Sequence, residues 1–402
     1  VKLASAPRLG ALAAVVLLCA LMAALAQFER FDLLRHVGVP PMRPSFADVR
    51  AVTGACESVR LGLDPMLANP GDAWARAFNY PRVWLLLAPL GVGNDHAPMF
   101  AALLWAAAAV GLAWLALQVD RGLALAGFAL LTVSPPFAFA LERANTDLLM
   151  FALLAAALST LARRPWLCAA LLSVASMLKL FPAAALVVFV RAGPRQRAAG
   201  AAAALLVGAY LFGISEQFAQ IAANTQREPS ISYGCALAPN ALVRALDWPS
   251  AVARVLALAP LLALALGALL LSRRVRAPAL STAQAGALRV GAAVYLGTFL
   301  LGSNFDYRLL FLVFVAPALG VWASGEFRAA RCLARATLVV AALCVWRPLW
   351  ARALEIALGG DVAARVLDEL LCWTCWALLA LVLGATLRVE ISGGGSAAGS
   401  SP

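Results

Sequence analysis

The sequence predicts an all-α polytopic membrane protein, and three observations carry that prediction. Apolar runs of roughly 20 residues, the length a helix needs to cross the hydrocarbon core, recur from end to end. Of the 402 residues 63% are hydrophobic and only 13% charged, where a soluble domain carries about a quarter charged. The short alternating strands of a membrane β-barrel are missing.

The elements follow in order. The first apolar run, 9–27, comes after Lys2 and Arg8. It is long for a secretory signal and lacks a small-residue cleavage site before Gln27, so it reads as the first membrane helix. Further spans are expected at 98–117, 123–140, 147–162, 198–214, 252–272, 281–301, 308–324, 336–350 and 369–388. The run 83–90 is too short to span and should be interfacial or re-entrant. Between the basic residues Arg164 and Arg191 the chain is too short to cross twice. Pro182 removes a backbone donor and disfavours a helical residue before it. This segment therefore predicts two half-helices, 166–180 and 182–191, meeting at Lys179. The sum is a bundle of about twelve transmembrane or half-membrane helices.

Basic loops set the orientation. Arg163-Arg164, the Arg191 to Arg197 run, Arg273 to Arg276 and Arg328 to Arg335 are expected on the cytoplasmic side. Both termini then face the cytoplasm, and most of the 20 acidic residues fall on the opposite face. Two loops on that face, 28–97 and 215–251, are longer than connectors require and rich in Pro, Asn and aromatics. Residues 1–390 read as one integral membrane domain, followed by a flexible Gly/Ser-rich tail, 391–402.

Composition also excludes. The net charge of +12 is explained by cytoplasmic Lys and Arg rather than by nucleic acid. The cysteines lie mostly in apolar helices. Cys372 and Cys375 have the spacing of a redox or metal pair but no second pair or nearby histidine, which favours packing. No metal site is expected from two histidines without metal-ligand spacing. No nucleotide-binding loop or cofactor motif is present.

The chemistry then rests on a few polar residues. Asp48 stands about twenty residues past the first helix. It is either a solvated loop carboxylate or a general base toward a sugar hydroxyl. Lys179, at a helix break inside an apolar stretch, either snorkels or meets an anion such as phosphate. Glu142, Arg143, Asn145 and Asp147 form an outward turn in which Asn145 or Thr146 can cap the next helix, with Arg143, Asn145 and Asp147 also candidates for substrate binding. Asp306 and Arg308 begin the tenth span. They either pair with each other or leave Arg308 to grip phosphate with its guanidinium fork. Tyr80 and Arg82 close the first long loop, and Tyr233, Asn240 and Arg244 lie in the second, as further candidates for substrate contact or capping.

Across roughly residues 10–350 the chain resembles the GT-C superfamily of polyprenol-phosphate-sugar-dependent glycosyltransferases. More narrowly, it is similar to the bacterial polyprenol-phosphate-mannose-dependent α-1,2-mannosyltransferases. The resemblance rests on Asp48 in FADVRAV, GLDPM at 62–66, Tyr80-Pro81, the helix start Asn145 to Leu149, Lys179 to Pro182, and NFDYRLL from Asn304 to Leu310. YPR stands where YPP is usual, and an acidic ERANTD where a more neutral turn is usual. The resemblance implies a GT-C-like fold in the bacterial inner membrane with its site on the periplasmic side. It further implies a polyprenyl-phosphate sugar donor and a lipid or glycan acceptor. Asp48 would be the base, and Lys179 and then Arg308 would receive the departing phosphate. A transporter or flippase for a lipid-linked or anionic substrate is the alternative from another class. An assembly subunit without chemistry is a third.

Overall fold

A computed structural model describes residues 5–226 and 228–388; the tail at 391–402 lies outside the described residues. The protein is built almost wholly from helices. In chain order they are α1 (Ala6–Gln27), α2 (Ala47–Arg60), α3 (Ala97–Ala116), α4 (Gly122–Thr132), α5 (Pro135–Arg143), α6 (Asp147–Thr160), α7 (Pro165–Leu178) and α8 (Pro194–Gly213). There follow α9 (Ser215–Asn224), α10 (Leu237–Ala245), α11 (Ser250–Ser272), α12 (Thr282–Leu300), α13 (Ala316–Ala323), α14 (Arg328–Val345), α15 (Arg347–Leu358) and α16 (Val362–Thr386). Tighter 3-10 turns occupy Phe31–Val37, Arg82–Leu90, Phe181–Phe189 and Asp306–Val315. Two dipeptide strands, β1 (Ser232–Tyr233) and β2 (Asn304–Phe305), pair antiparallel with Tyr233 opposite Asn304.

By length and composition five helical segments can cross a membrane, and up to eight if each bent pair counts as one span. The chain is thus a multi-pass, all-α membrane protein. The bends have local causes. Pro135 and Pro136 separate α4 from α5 at 43°, and Pro348 lies at the 71° break between α14 and α15. The basic segment from Arg328, expected as a loop, is the first turns of α14, because its alanines and arginines are good helix formers. The expected span 336–350 accordingly divides at Trp346, and α16 begins at Val362 rather than 369.

The centre of the bundle is the segment Asp306–Ala323, packed on α12 and crossed by α4, α5 and α14. Phe151, Phe311 and Phe314 meet there, with Phe151 and Phe314 at 4.7 Å in edge-to-face geometry. Lipid tails are as apolar as leucine, so close packing rather than water exclusion holds such helices together. Gly320 illustrates it. A Cβ there would stand 2.2 Å from that of Ala124, so α13 and α4 touch backbone to backbone.

Around this bundle, α6 and α7 form an antiparallel hairpin whose turn carries Arg163 and Arg164. Asp147 opens α6 and Lys179 follows α7, so both lie at the end of the hairpin opposite that basic turn.

Candidate functional site

Asp48 lies in the first turn of α2, where a carboxylate also favours the positive end of the helix. The chain enters α2 through Phe46 in the left-handed region, and Arg50 Nε donates to the Ser45 carbonyl at 2.8 Å, closing the turn. One Asp48 oxygen accepts from the Asn145 amide Nδ2 at 2.5 Å, and the other lies 3.5 Å from Arg76 Nη1. Arg76 is held in turn by both oxygens of Asp72, at 2.9 Å each, and by the Ala47 carbonyl.

Asn145 is the hinge of the site. Its Oδ1 accepts the Asp147 backbone N–H at 2.8 Å, capping α6, and also the Lys179 ammonium at 3.1 Å. Lys179 makes a second, shorter contact to Asp147. It is presented here because α7 stops at Leu178 and Lys179 itself is extended, the break that Pro182 imposes. Trp84 Nε1 donates to the Leu178 carbonyl at 2.9 Å and pins that end. The Tyr80 ring lies 5.1 Å from the ammonium and that of Tyr307 6.0 Å, within cation–π range. Burial raises the Tyr80 phenol above its ordinary value, and the carboxylates of Asp48 and Asp147 push the same way, so it stays a neutral hydroxyl.

Arg308 approaches Asp147 from the other side, Nε to Oδ2 at 3.6 Å. Its guanidinium also donates to Asn304 and covers the Phe181 ring at 5.1 Å. Three cations (Lys179, Arg308, Arg76) thus interleave with three carboxylates (Asp147, Asp72, Asp48). Exposure separates their roles. The Asp48 side chain is 15% exposed and that of Arg308 19%, whereas those of Asp147 and Asp72 are fully buried. Only Asp48 among the three carboxylates can meet a hydroxyl arriving from outside.

The structure therefore brings Asp48, Tyr80, Asn145, Asp147, Lys179 and Arg308 together. Other candidates lie elsewhere. Asp306 pairs with Arg347 of α15 rather than with Arg308. Arg347 also reaches Asp368 of α16 at 2.8 Å and the carbonyls of Ser230 and Ser232. Arg143 and Glu142 pair at 3.1 Å and support the first loop, Arg143 donating to the Pro40 carbonyl and Glu142 accepting from the Met42 N–H, both at 2.9 Å. Tyr233 is buried with its hydroxyl 2.7 Å from that of Thr298. Arg82 makes an exposed pair with Asp64 at 2.7 Å, and Asn240 and Arg244 are exposed on α10. Cys372 and Cys375 are buried in α16.

Sequence reading missed Arg76, Asp72, Asn304, Arg347 and Asp368. Arg347 carried a usable signal, a lone arginine inside an expected span. Arg76 carried none, because nothing along the chain says that the loop 64–78 folds back on α2. No protein-family model, curated protein or solved structure matches the chain.

Proposed function

We propose that the chain is an integral membrane glycosyltransferase of the GT-C type in the bacterial inner membrane, with about twelve transmembrane or half-membrane segments and its site on the periplasmic face. It moves a hexose, mannose foremost, from polyprenyl phosphate to a hydroxyl of a lipid or glycan acceptor. One observation carries the reading. A reachable carboxylate, Asp48, and a buried ammonium, Lys179, are joined through the single side-chain amide of Asn145.

That arrangement suits displacement at an anomeric carbon. Asp48 takes the proton of the acceptor hydroxyl as its oxygen bonds to the sugar carbon. The bond from that carbon to the phosphate oxygen breaks on the opposite face, so the anomeric centre inverts. Negative charge leaves Asp48 as it appears on the departing phosphate, where Lys179 and Arg308 are already aimed. The pair of cations needs no reorganisation at that moment.

The position in the bilayer supports a lipid carrier. Helices α6 and α7 have 14 residues each, about 21 Å at 1.5 Å per residue, against a hydrocarbon core about 30 Å thick. With the Arg163-Arg164 turn at the cytoplasmic interface, the site is recessed by about 10 Å from the opposite one. A phosphate on a polyprenyl chain reaches that depth; a soluble donor would have to enter a depression.

The test is transfer from a radiolabelled polyprenyl-phosphate mannose. Asp48→Asn and Asp48→Ala are expected to lower the rate by roughly 10²–10⁴ while polyprenyl phosphate still binds. Full activity in both variants removes Asp48 as base.

A further inference from the structure

We infer that Asp147 is a built-in stand-in for the donor's phosphate: its carboxylate holds Lys179 and Arg308 together until the phosphate takes its place between them. The inference rests on the glycosyl-carrier reading and concerns how that same site accepts and releases its anion. As a substrate contact Asp147 is ruled out, because its side chain has no exposure at all and cannot be the group that greets a ligand. It is instead the anion between the two cations. One oxygen touches Lys179, and the other faces Arg308 Nε at 3.6 Å. That second contact is unfinished. Asp147 Oδ2 and Arg308 Nε are both buried and neither has a hydrogen-bond partner. A carboxylate spans the gap between these cations poorly. A phosphate, with more oxygens arranged tetrahedrally, can give one to each.

The remaining bonds of the two cations survive such an exchange. Lys179 keeps Asn145 and the face of Tyr80, and Arg308 keeps Asn304 and the face of Phe181. Two cations with one resident carboxylate leave a single net positive charge. That matches the one negative charge of a polyprenyl phosphosugar and falls short of the greater charge on the polyprenyl phosphate formed from it. Asp147 then competes with the product for Lys179 and Arg308 and hastens its release.

The experiment measures binding of polyprenyl phosphate, polyprenol and inorganic phosphate to the full chain in nanodiscs. Asp147→Asn is expected to tighten polyprenyl phosphate at least about tenfold, since a like charge a few Å away is gone, with polyprenol unchanged. A gain confined to the lipid assigns the carrier, and an equal gain for inorganic phosphate assigns the anion alone; either upholds the exchange. If the wild type prefers polyprenyl phosphate over polyprenol but Asp147→Asn binds it equally or more weakly, this inference fails and the carrier reading stands. If the wild type does not distinguish the two lipids, the carrier reading fails and takes the inference with it. Should Asp147→Asn alone not fold, Lys179→Gln is compared with Lys179→Gln/Asp147→Asn, where the second change must again tighten binding through Arg308; no gain there overturns the exchange.

Discussion

Asp48 and Asn145, hydrogen-bonded across the first loop and the bundle, are each delivered by a residue in the left-handed region: Phe46 at φ 68° and Ala144 at φ 46°. A residue with a Cβ pays about 1–2 kcal/mol there. At Ala144 the cost has a visible return, because the reversal sends Glu142 and Arg143 to the first loop and Asn145 and Asp147 to the cation pair. Ala144→Gly should therefore keep full transfer with stability changed by less than about 1 kcal/mol, whereas β-branched Ala144→Val should lose about 2 kcal/mol in thermal unfolding. Arg76 pairs with Asp48 and Asp72 rather than with Asp147, the carboxylate between Lys179 and Arg308, so under the proposed function it is a positioning residue. Arg76→Ala is expected to lower kcat about tenfold or more and leave the donor KM within about twofold, since misplacing a base removes transition-state rather than ground-state contacts. Arg82→Ala offers the contrast. Its partner Asp64 is held below the usual carboxylate range by the Arg82 hydrogen bond, but the pair is exposed and worth at most about 1 kcal/mol. That small contribution is present above the ordinary aspartate value and lost as pH falls through the lowered one. Transfer rates should stay near wild type, and a large loss would return Arg82 to the site.

Between elements, the site depends on two contacts that periodicity does not announce. Gly54 in α2 and Gly71 in the following loop approach until a Cβ on Gly54 would lie 2.4 Å from the Gly71 carbonyl oxygen. That approach seats Asp72, and through it Arg76, against the start of α2. Gly54→Ala pushes backbone against backbone, and transfer should fall with the kcat signature of Arg76→Ala while the protein still assembles in the membrane. The other contact is Arg347, which joins Asp306, Asp368 and the carbonyls around β1. It fastens the segment around β1 to the strand that precedes Arg308. Arg347→Met leaves the buried Asp306 and the half-buried Asp368 without their counter-ion, a loss of about 3 kcal/mol. Faster proteolysis near residues 228–236 than elsewhere would show that the loop is what came free. Much of this was legible beforehand. The break at Lys179 follows from Pro182, and the start of α6 at Asp147 follows from the side chain of Asn145, which accepts the Asp147 N–H. The start of α14 at Arg328 was not, because alanine and arginine suit a helix and a cytoplasmic loop alike.

For the molecule as a whole, the membrane orientation has a natural probe. Cys332 is exposed and sits in the basic segment that opens α14. An impermeant thiol reagent applied from the periplasmic side should leave Cys332 untouched and label a cysteine placed at exposed Leu61; the reverse pattern inverts the map. Hydropathy is enough to indicate a multi-pass helical protein, and the basic turns lead to the expectation that Asp48, Asn145, Asp147, Lys179 and Arg308 share one face, since both are properties of stretches of chain. Which of them touch was decided by packing. Asp306 and Arg308 are two residues apart, yet one turns to α15 and the other to Asp147. Arg76 and Asp48 meet across a loop whose fold rests on two glycines. Charge pairing at these distances is set by where backbones approach in three dimensions, and neighbours along the chain carry no record of that.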